Sequence, residues 1–162
     1  MVWLPAGATI RRELMRWMED LEIENGYQHV ITPNVGKREL YLKSGHWDHF
    51  QEGMYPVMVR EEEMYVLRPM NCPHHIMVFA NELHSYRELP MRIAEFGDMH
   101  RWEKSGQVTG MSRVRIMKLN DAHIFCADIA MVEQEVESVL QLMEKVYGVL
   151  GLKNYRSRLS LG

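Results

Sequence analysis

The sequence predicts an α+β fold in which long helices pack against a largely antiparallel sheet. Two long segments, one near each end, repeat apolar residues at helical spacing. Between them lie short strand-like stretches interrupted by prolines. No repeat, low-complexity segment or linker divides the chain, and its 162 residues suffice for one domain with a core. We therefore treat residues 1–162 as one unit.

The composition argues against several protein classes. The formal net charge is −3, so nucleic-acid contacts would have to rest on local patches. Only Cys72 and Cys126 are present, which argues against a disulfide scaffold and fits a reducing compartment, so we expect a cytoplasmic location. No apolar run approaches the length of a membrane span, and no signal peptide opens the sequence. The 14 methionines are expected to fill the core.

The first third of the chain predicts a helix and then a strand. Thr9 is a suitable N-cap for a helix that runs to about Glu24, and Gly26 is a suitable stop. Its apolar stripe consists of Ile10, Leu14, Trp17, Met18 and Leu21. Residues 27–32 read as a strand that ends before Pro33, which cannot donate to a sheet.

The middle of the chain alternates short elements. Residues 36–54 are predicted to form a helix and loop, and 64–67 a strand. Pro73 favours a helix start, and we place that helix at about 74–83. Further strands are predicted at 91–96, 98–103 and 113–119.

The last third predicts another long helix. Asp128 is the expected cap, Gly151 the expected stop, and the helix runs to about Leu150. We expect its buried side to carry Ile129, Val132, Val136, Val139, Leu140, Met143 and Val146. Residues 155–161 alternate like a strand, and because the chain stops there we expect the natural protein to continue.

Charged residues gather around the predicted 98–103 and 113–119 strands. Strand alternation would place Arg101 and Glu103 on one face. The same parity groups Arg113 and Arg115 with Asp121 and His123. Guanidinium groups suit phosphate, and the Gly-, Ser- and Lys-containing loop 104–112 resembles a phosphate cover more than a tight turn. The alternative is a cross-strand salt-bridge ladder on a solvated face.

Cys72 and His123 are candidate metal ligands. Zinc accepts thiolate and imidazole donors, and a catalytic site keeps one position for substrate. Spacing alone is a weak indication, because Cys72 could equally be a small buried hydrophobe. The roles of His74 and His75 stay open.

Several runs resemble the class II aminoacyl-tRNA synthetases. The segment of about 9–33, ending in Gly-Tyr-Gln-His-Val-Ile-Thr-Pro, resembles motif 1, and the segment of about 96–125 resembles motif 2. More specific runs resemble the threonyl-tRNA synthetase family: Ser44-Gly45-His46-Trp47, Arg68-Pro69-Met70-Asn71-Cys72-Pro73, Ser85 to Pro90, and Asn120-Asp121-Ala122-His123-Ile124-Phe125.

This resemblance implies a threonine–tRNA ligase that activates L-threonine with ATP and Mg²⁺ and transfers it to tRNA(Thr). It implies that zinc reads the threonine hydroxyl and that motif 1 forms a homodimer. The implied zinc ligands are Cys72 and His123, with a third ligand expected beyond residue 162. The other implied roles are threonine binding by Met70 and Asp121, α-phosphate binding by Arg101, adenine binding by Glu103 and γ-phosphate binding by Arg115.

The sequence also departs from the family pattern. Nothing matches motif 3, so we expect a class II sheet flanked by helices that is incomplete at its C-terminus and weak or inactive alone. The alternative is an inactive fragment or paralogue that acts as a dimerisation or binding module. The Cys72 and His123 pair disfavours a prolyl or seryl synthetase. The absence of a His-Glu-x-x-His run disfavours a zinc hydrolase.

Overall fold

The computed structural model describes residues 2–158 and Ser160. It divides into two compact units, Met1–His84 with Met91–His123, and Ser85–Pro90 with Ile124–Gly162. None of the described helices is both long and apolar enough to cross a membrane.

Pairs of strands are separated by one or two helices along the chain. The helices are α1 (Pro5–Glu24), α2 (Arg38–Lys43), α3 (His46–Phe50), α4 (Cys72–Phe79) and α5 (Ile129–Val149). The strands are β1 (Tyr27–His29), β2 (Val35–Lys37), β3 (Met58–Arg60), β4 (Glu63–Leu67), β5 (Met91–His100) and β6 (Ile116–Phe125). Single 3₁₀ turns occupy Gln51–Gly53, Tyr86–Glu88 and Ser105–Gln107.

The strands form two small sheets. One three-stranded sheet has the order β1-β5-β6, and β1 runs parallel to β5 with Gln28 opposite Ile93. The other has the order β2-β4-β3 and is antiparallel, with Gly36 opposite Val66 and Val59 opposite Met64. Sheets flanked by helices agree with the predicted fold class.

The core of the first unit combines apolar and charged layers. An apolar cluster joins Tyr41 of α2 and Trp47 of α3 to Met54 and to Val66 of β4. Beside the apolar residues of the first sheet, several polar side chains are also buried: Arg68, Asn71, His74, His75 and Glu95. Buried polar groups are costly unless they are hydrogen-bonded, so these side chains need partners.

The first helix begins earlier than the sequence predicts. It starts at Pro5, which suits the first helical turn because proline lacks an N–H. The prediction that Thr9 is its N-cap was wrong, because the Thr9 hydroxyl lies inside the helix and donates to the Pro5 carbonyl at 3.0 Å. The following strand ends at His29, earlier than predicted, although Val30 N–H still donates to Ala94 O.

The predicted strands around the charged loop were too long at the loop side. β5 ends at His100 and β6 begins at Ile116, so Arg101, Glu103, Arg113 and Arg115 lie outside both strands. Trp102 N–H bonds to Gly53 O and Glu103 N–H turns back to Arg101 O, which breaks the ladder. The parity argument for these four residues therefore fails, whereas Asp121 and His123 do lie two residues apart within β6.

In the second unit one prediction was confirmed and two were wrong. Asp128 caps α5 as predicted, because its carboxylate accepts a hydrogen bond from Met131 N–H at 2.8 Å. However, the predicted buried stripe is substantially exposed, including Val136 at 54% and Leu140 at 44%. No strand occurs over the described part of 155–161, and Leu159 and Leu161 lie outside the described residues.

Candidate functional site

Arg101 and Arg115 are neighbours through their backbones. Arg101 directly follows β5, Arg115 directly precedes β6, and Arg101 N–H donates to Arg115 O at 2.9 Å. The guanidinium of Arg115 lies 5.0 Å from the centre of the Trp102 ring, within cation–π distance. The chain thus brings two of the predicted phosphate-binding residues to the same end of the sheet.

Glu103 is held by two arginines. Its carboxylate accepts from Arg113 Nε at 2.9 Å, and its backbone carbonyl accepts from Arg115 Nε at 2.9 Å. The Glu103–Arg113 contact is a salt bridge of the kind that the alternative interpretation predicted, although among the described residues around this loop it is a single pair and not a ladder. Arg113 thus restrains the Glu103 side chain, whereas Arg115 holds its backbone.

An open cavity of about 500 Å³ adjoins this region. Met70 and Arg101 both line it, with Pro69 and residues 48–53. Glu103, Arg115, Cys72, Asp121 and His123 are not among the described residues that line it. Met70 and Arg101 were predicted from the sequence as site residues, whereas residues 48–53 were not.

Cys72, Asp121 and His123 form a second group, because the Asp121 carboxylate influences both of the others. Burial raises the pKa of the Cys72 thiol, and the negative charge of Asp121 raises it further. Burial lowers the pKa of His123, Asp121 opposes that shift, and His75 and His46 reinforce it. Without a bound cation, these shifts favour the protonated thiol of Cys72 and the neutral imidazole of His123.

The donor chemistry of this group fits zinc, but the set is incomplete. A thiolate and an imidazole are preferred zinc donors, and catalytic zinc usually has three protein ligands. Across residues 2–158 and Ser160, no group of three or more His, Cys, Asp or Glu side chains is arranged to hold a metal ion.

A buried network that the sequence did not reveal lies behind this group. Arg68 is 1% exposed and donates to Glu95 Oε1 at 3.1 Å and to Asn34 Oδ1 at 3.1 Å. It also donates to the Asp98 carbonyl and to Thr32. Arg68 belongs to a run that resembles the family, but Glu95 stands in an ordinary strand and carried no signal.

Glu95 is the centre of that network. Burial raises the pKa of Glu95, but hydrogen bonds from His75 and Thr32, with the charge of Arg68, more than offset burial and bring it to about 2. The Thr32 hydroxyl donates to Glu95 Oε2 at 2.7 Å, and Thr32 N–H donates to Oε1 at 3.0 Å. Glu95 is therefore a carboxylate at neutral pH.

The two adjacent histidines of α4 have different surroundings. Tyr41 and Thr32 contact the ring of His74, each at 3.3 Å. Burial first, and the charge of Arg68 second, lower the pKa of His74 to about 4. His75, in contrast, contacts Glu95 and His123.

Comparison with known proteins identifies the family. Residues 55–162 match the tRNA synthetase class II core domain (G, H, P, S and T). The chain belongs to this family. It is 57% identical over 160 residues to a threonine--tRNA ligase of Streptococcus pneumoniae (strain Hungary19A-6), which covers 98% of this chain. It is 55% identical over 159 residues to threonine--tRNA ligase 1 of Bacillus subtilis (strain 168), again over 98% of this chain.

A solved structure supports the same family. The RNA binding domain of threonyl-tRNA synthetase from Cryptosporidium parvum Iowa II matches with a TM-score of 0.87 and 40% identity, covering 92% of this chain and 37% of that one. The class II synthetase chain spans about 25% of the length of the two curated relatives named above. The predicted family and fold class are thus confirmed.

Proposed function

We propose that this chain forms part of the amino-acid activation site of a threonine–tRNA ligase, which makes threonyl-adenylate and transfers threonine to tRNA(Thr). The observation that carries the proposal is the cavity that Arg101 and Met70 both line, beside the backbone-linked Arg115. Similarity to the threonine--tRNA ligases over 98% of the chain supports the choice of amino acid.

In the proposed first step, a carboxylate oxygen of threonine attacks the α-phosphorus of MgATP. A bond forms between the carboxylate oxygen and the α-phosphorus. The bond between the α-phosphorus and the oxygen that bridges to the β-phosphate breaks, and pyrophosphate leaves. Such a displacement depends mainly on positioning and charge neutralisation. We assign Arg101 to the α-phosphate and Arg115 to the γ-phosphate, because an arginine fork binds phosphate oxygens in parallel.

Glu103 is assigned to the adenine amino group. A carboxylate accepts hydrogen bonds from that group, and Arg113 restricts the Glu103 side chain at 2.9 Å. Arg113 is half exposed and would therefore act on Glu103 from the solvent side. The Arg113 contact orients Glu103 before ATP arrives.

We assign Met70 and Asp121 to threonine, and Cys72 and His123 to zinc, with a third protein ligand from outside this chain. Zinc held there would supply a coordination position that a substrate hydroxyl can fill. Asp121 lies two residues before His123 on β6 and would accept a hydrogen bond from threonine. The polar groups of the pocket would thus be matched to an amino acid that carries a hydroxyl.

The test is amino-acid-dependent ATP–pyrophosphate exchange by the full-length protein, with this chain alone expected to be weak or inactive. We expect exchange with threonine, and with serine about 10- to 200-fold less, because serine lacks only a methyl contact. Valine should lie several orders of magnitude below threonine, because it would leave the polar groups of the pocket unpaired. Valine activated as well as serine would contradict the assigned pocket, and no threonine-dependent exchange by the full-length protein would overturn the function.

We also propose a homodimer formed through the motif 1 segment of about 9–33. Ile10 is 62% exposed and Leu14 is 44% exposed on α1, and Ile31 after β1 is 97% exposed. Ile10 and Leu14 are one turn apart on α1, and exposed apolar patches typically mark an interaction surface. The same observation favours the second candidate, a dimerisation or binding module without catalysis, which the exchange assay separates from the first.

A further inference from the structure

We propose that Glu95, acting through His75, positions His123 so that its Nε2 is the nitrogen left unprotonated for a metal ion. This inference rests on the proposed metal site, because it assigns a role to two residues behind one of its ligands. Glu95 and His75 are positioning residues, and neither is itself assigned to metal or substrate.

The three side chains form a continuous buried chain of contacts. Glu95 Oε2 lies 3.2 Å from His75 Nε2, and His75 Nδ1 lies 2.9 Å from His123 Nδ1. The side chain of His75 is 0% exposed and that of Glu95 is 4% exposed. Since water is excluded from His75, its ring must satisfy both nitrogens with these two partners.

The hydrogen-bond donors can be assigned in order along this chain. A carboxylate only accepts hydrogen bonds, so the proton of the Glu95–His75 contact lies on His75 Nε2. The Nδ1 atom of His75 lies 2.9 Å from His123 Nδ1, and in the proposed arrangement it accepts a hydrogen bond from that nitrogen. His123 therefore keeps its lone pair on Nε2, the only other ring nitrogen.

Arg68 contacts the same Glu95 carboxylate from the other side of the network. The Arg68 guanidinium lies 3.1 Å from Glu95 Oε1 and already supplies the positive charge that pairs the carboxylate. Thr32 further fixes Glu95 through its hydroxyl and its N–H.

The Glu95–His75–His123 chain resembles the hydrogen bonding found behind histidines that bind metal. Histidines that bind metal usually donate their other N–H to a carboxylate or carbonyl, which sets the ring orientation and raises the basicity of the ligand. Here one more imidazole stands between the carboxylate and the candidate ligand. The charge of Glu95 thereby reaches His123 without a direct contact.

The experiment is zinc affinity of the full-length protein, measured by competition with a chelator. His75→Leu removes both hydrogen bonds and should weaken zinc binding by about 10- to 100-fold. His75→Gln restores an acceptor for His123 and a donor for Glu95, and should return most of the affinity. His75→Met provides a second removal variant with a more adaptable side chain, should His75→Leu not fold.

His74→Leu is the matched control, because His74 is the neighbouring buried histidine and contacts Thr32 and Tyr41 instead of His123. It should lower the thermal midpoint of the metal-free protein but leave zinc affinity unchanged. Equal loss of zinc affinity in His74→Leu would overturn the proposal, as would equal losses in His75→Leu and His75→Gln.

Cys72→Ser and His123→Ala separate this inference from the proposed site. If both variants keep tight zinc binding, the metal site and the inference are both overturned. If both lose zinc while His75→Leu binds it as tightly as the unmodified protein, the metal site stands and the positioning role alone is overturned.

Discussion

Arg101 and Met70 both line the cavity, and loss of the Arg101 side chain should weaken nucleotide binding. We expect Arg101→Ala in the full-length protein to weaken ATP binding by about 1.5–3 kcal/mol, the usual value of a hydrogen bond to a charged group. Arg101→Lys should recover only part of this, because it keeps the charge but loses the fork. Equilibrium ATP binding measures both, with exposed Arg60→Ala on β3 as the unaffected control. Unchanged ATP affinity in Arg101→Ala would contradict the assignment.

Thr32 provides a pH-dependent test of the buried network. Thr32→Val removes the hydroxyl that donates to Glu95 at 2.7 Å and should cost about 1–3 kcal/mol of unfolding free energy at pH 7. Folding lowers the pKa of Glu95 from 4.5 to about 2, so the carboxylate stabilises the native state above pH 4.5 and loses this effect as pH falls toward 2. The penalty of Thr32→Val should therefore shrink over the same range.

Urea unfolding of this chain at several pH values measures that penalty. Thr32→Ser keeps the hydroxyl and should show a small, pH-independent change. A Thr32→Val penalty that is the same at pH 7 and pH 3 would show that the hydroxyl does not act through the charged form of Glu95.

Local side-chain chemistry was readable from the sequence, and long-range pairing was not. The Asp128 cap was predicted because its carboxylate bonds a backbone N–H only three residues away. The Arg68–Glu95 pair joins residues 27 positions apart, and the His75–His123 contact spans 48. Their partners are set by how α4, β5 and β6 pack, which no residue spacing encodes.

At the level of elements, Gly97 on β5 marks a close approach to the segment before α4. A Cβ at this position would lie 2.4 Å from Asn71 Nδ2, and Asn71 is fully buried. We expect Gly97→Ala to destabilise the chain by about 1–3 kcal/mol through overpacking.

Gly148 on α5 is the matched control for Gly97. A Cβ there meets nothing within 4 Å, so Gly148→Ala should stabilise the helix by about 0.5–1 kcal/mol. Thermal unfolding of both variants gives the comparison. Equal stability of Gly97→Ala and the unmodified chain would mean that Asn71 moves aside freely.

The boundaries of elements were less predictable than their existence. α1 was expected, but its start was misplaced. Thr9 was predicted to be the N-cap, whereas the helix already begins at Pro5. Two strands were predicted at 91–96 and 98–103, but β5 is one continuous strand, and β6 extends past the predicted 113–119 to Phe125. Beyond the end of β5, the Gly53 carbonyl accepts a hydrogen bond from Trp102 N–H from outside the sheet. Such tertiary bonds are invisible to alternation of side chains along one segment.

For the whole molecule, the exposed face of α1 predicts association. We expect the full-length protein to sediment as a dimer at micromolar concentration, and Leu14→Gln to shift it toward monomer. Glu13→Gln, an exposed polar change one residue away, should leave the dimer intact. A monomer at that concentration, or a dimer insensitive to both changes, would contradict the motif 1 interface.

Periodicity identified the apolar face of α5 but could not say what lies against it. Val132, Val136 and Leu140 line an apolar groove of about 220 Å³ with Ile124 and Cys126. An amphipathic pattern fixes which side of a helix is apolar, whereas burial requires a partner surface. This is why the stripe was predicted correctly as apolar and incorrectly as buried.

The many hydrogen bonds of Arg68 restrict which substitutions evolution can accept at this position. Its guanidinium bonds Thr32, Asn34, Glu95 and the Asp98 carbonyl, so a lysine, with three donors at one point, cannot replace it. Removing one member of a buried ion pair typically costs about 3–5 kcal/mol, a large part of the stability of a small domain. A single substitution at position 68 would leave Glu95 buried without its cation. Position 68 can therefore change only together with Glu95.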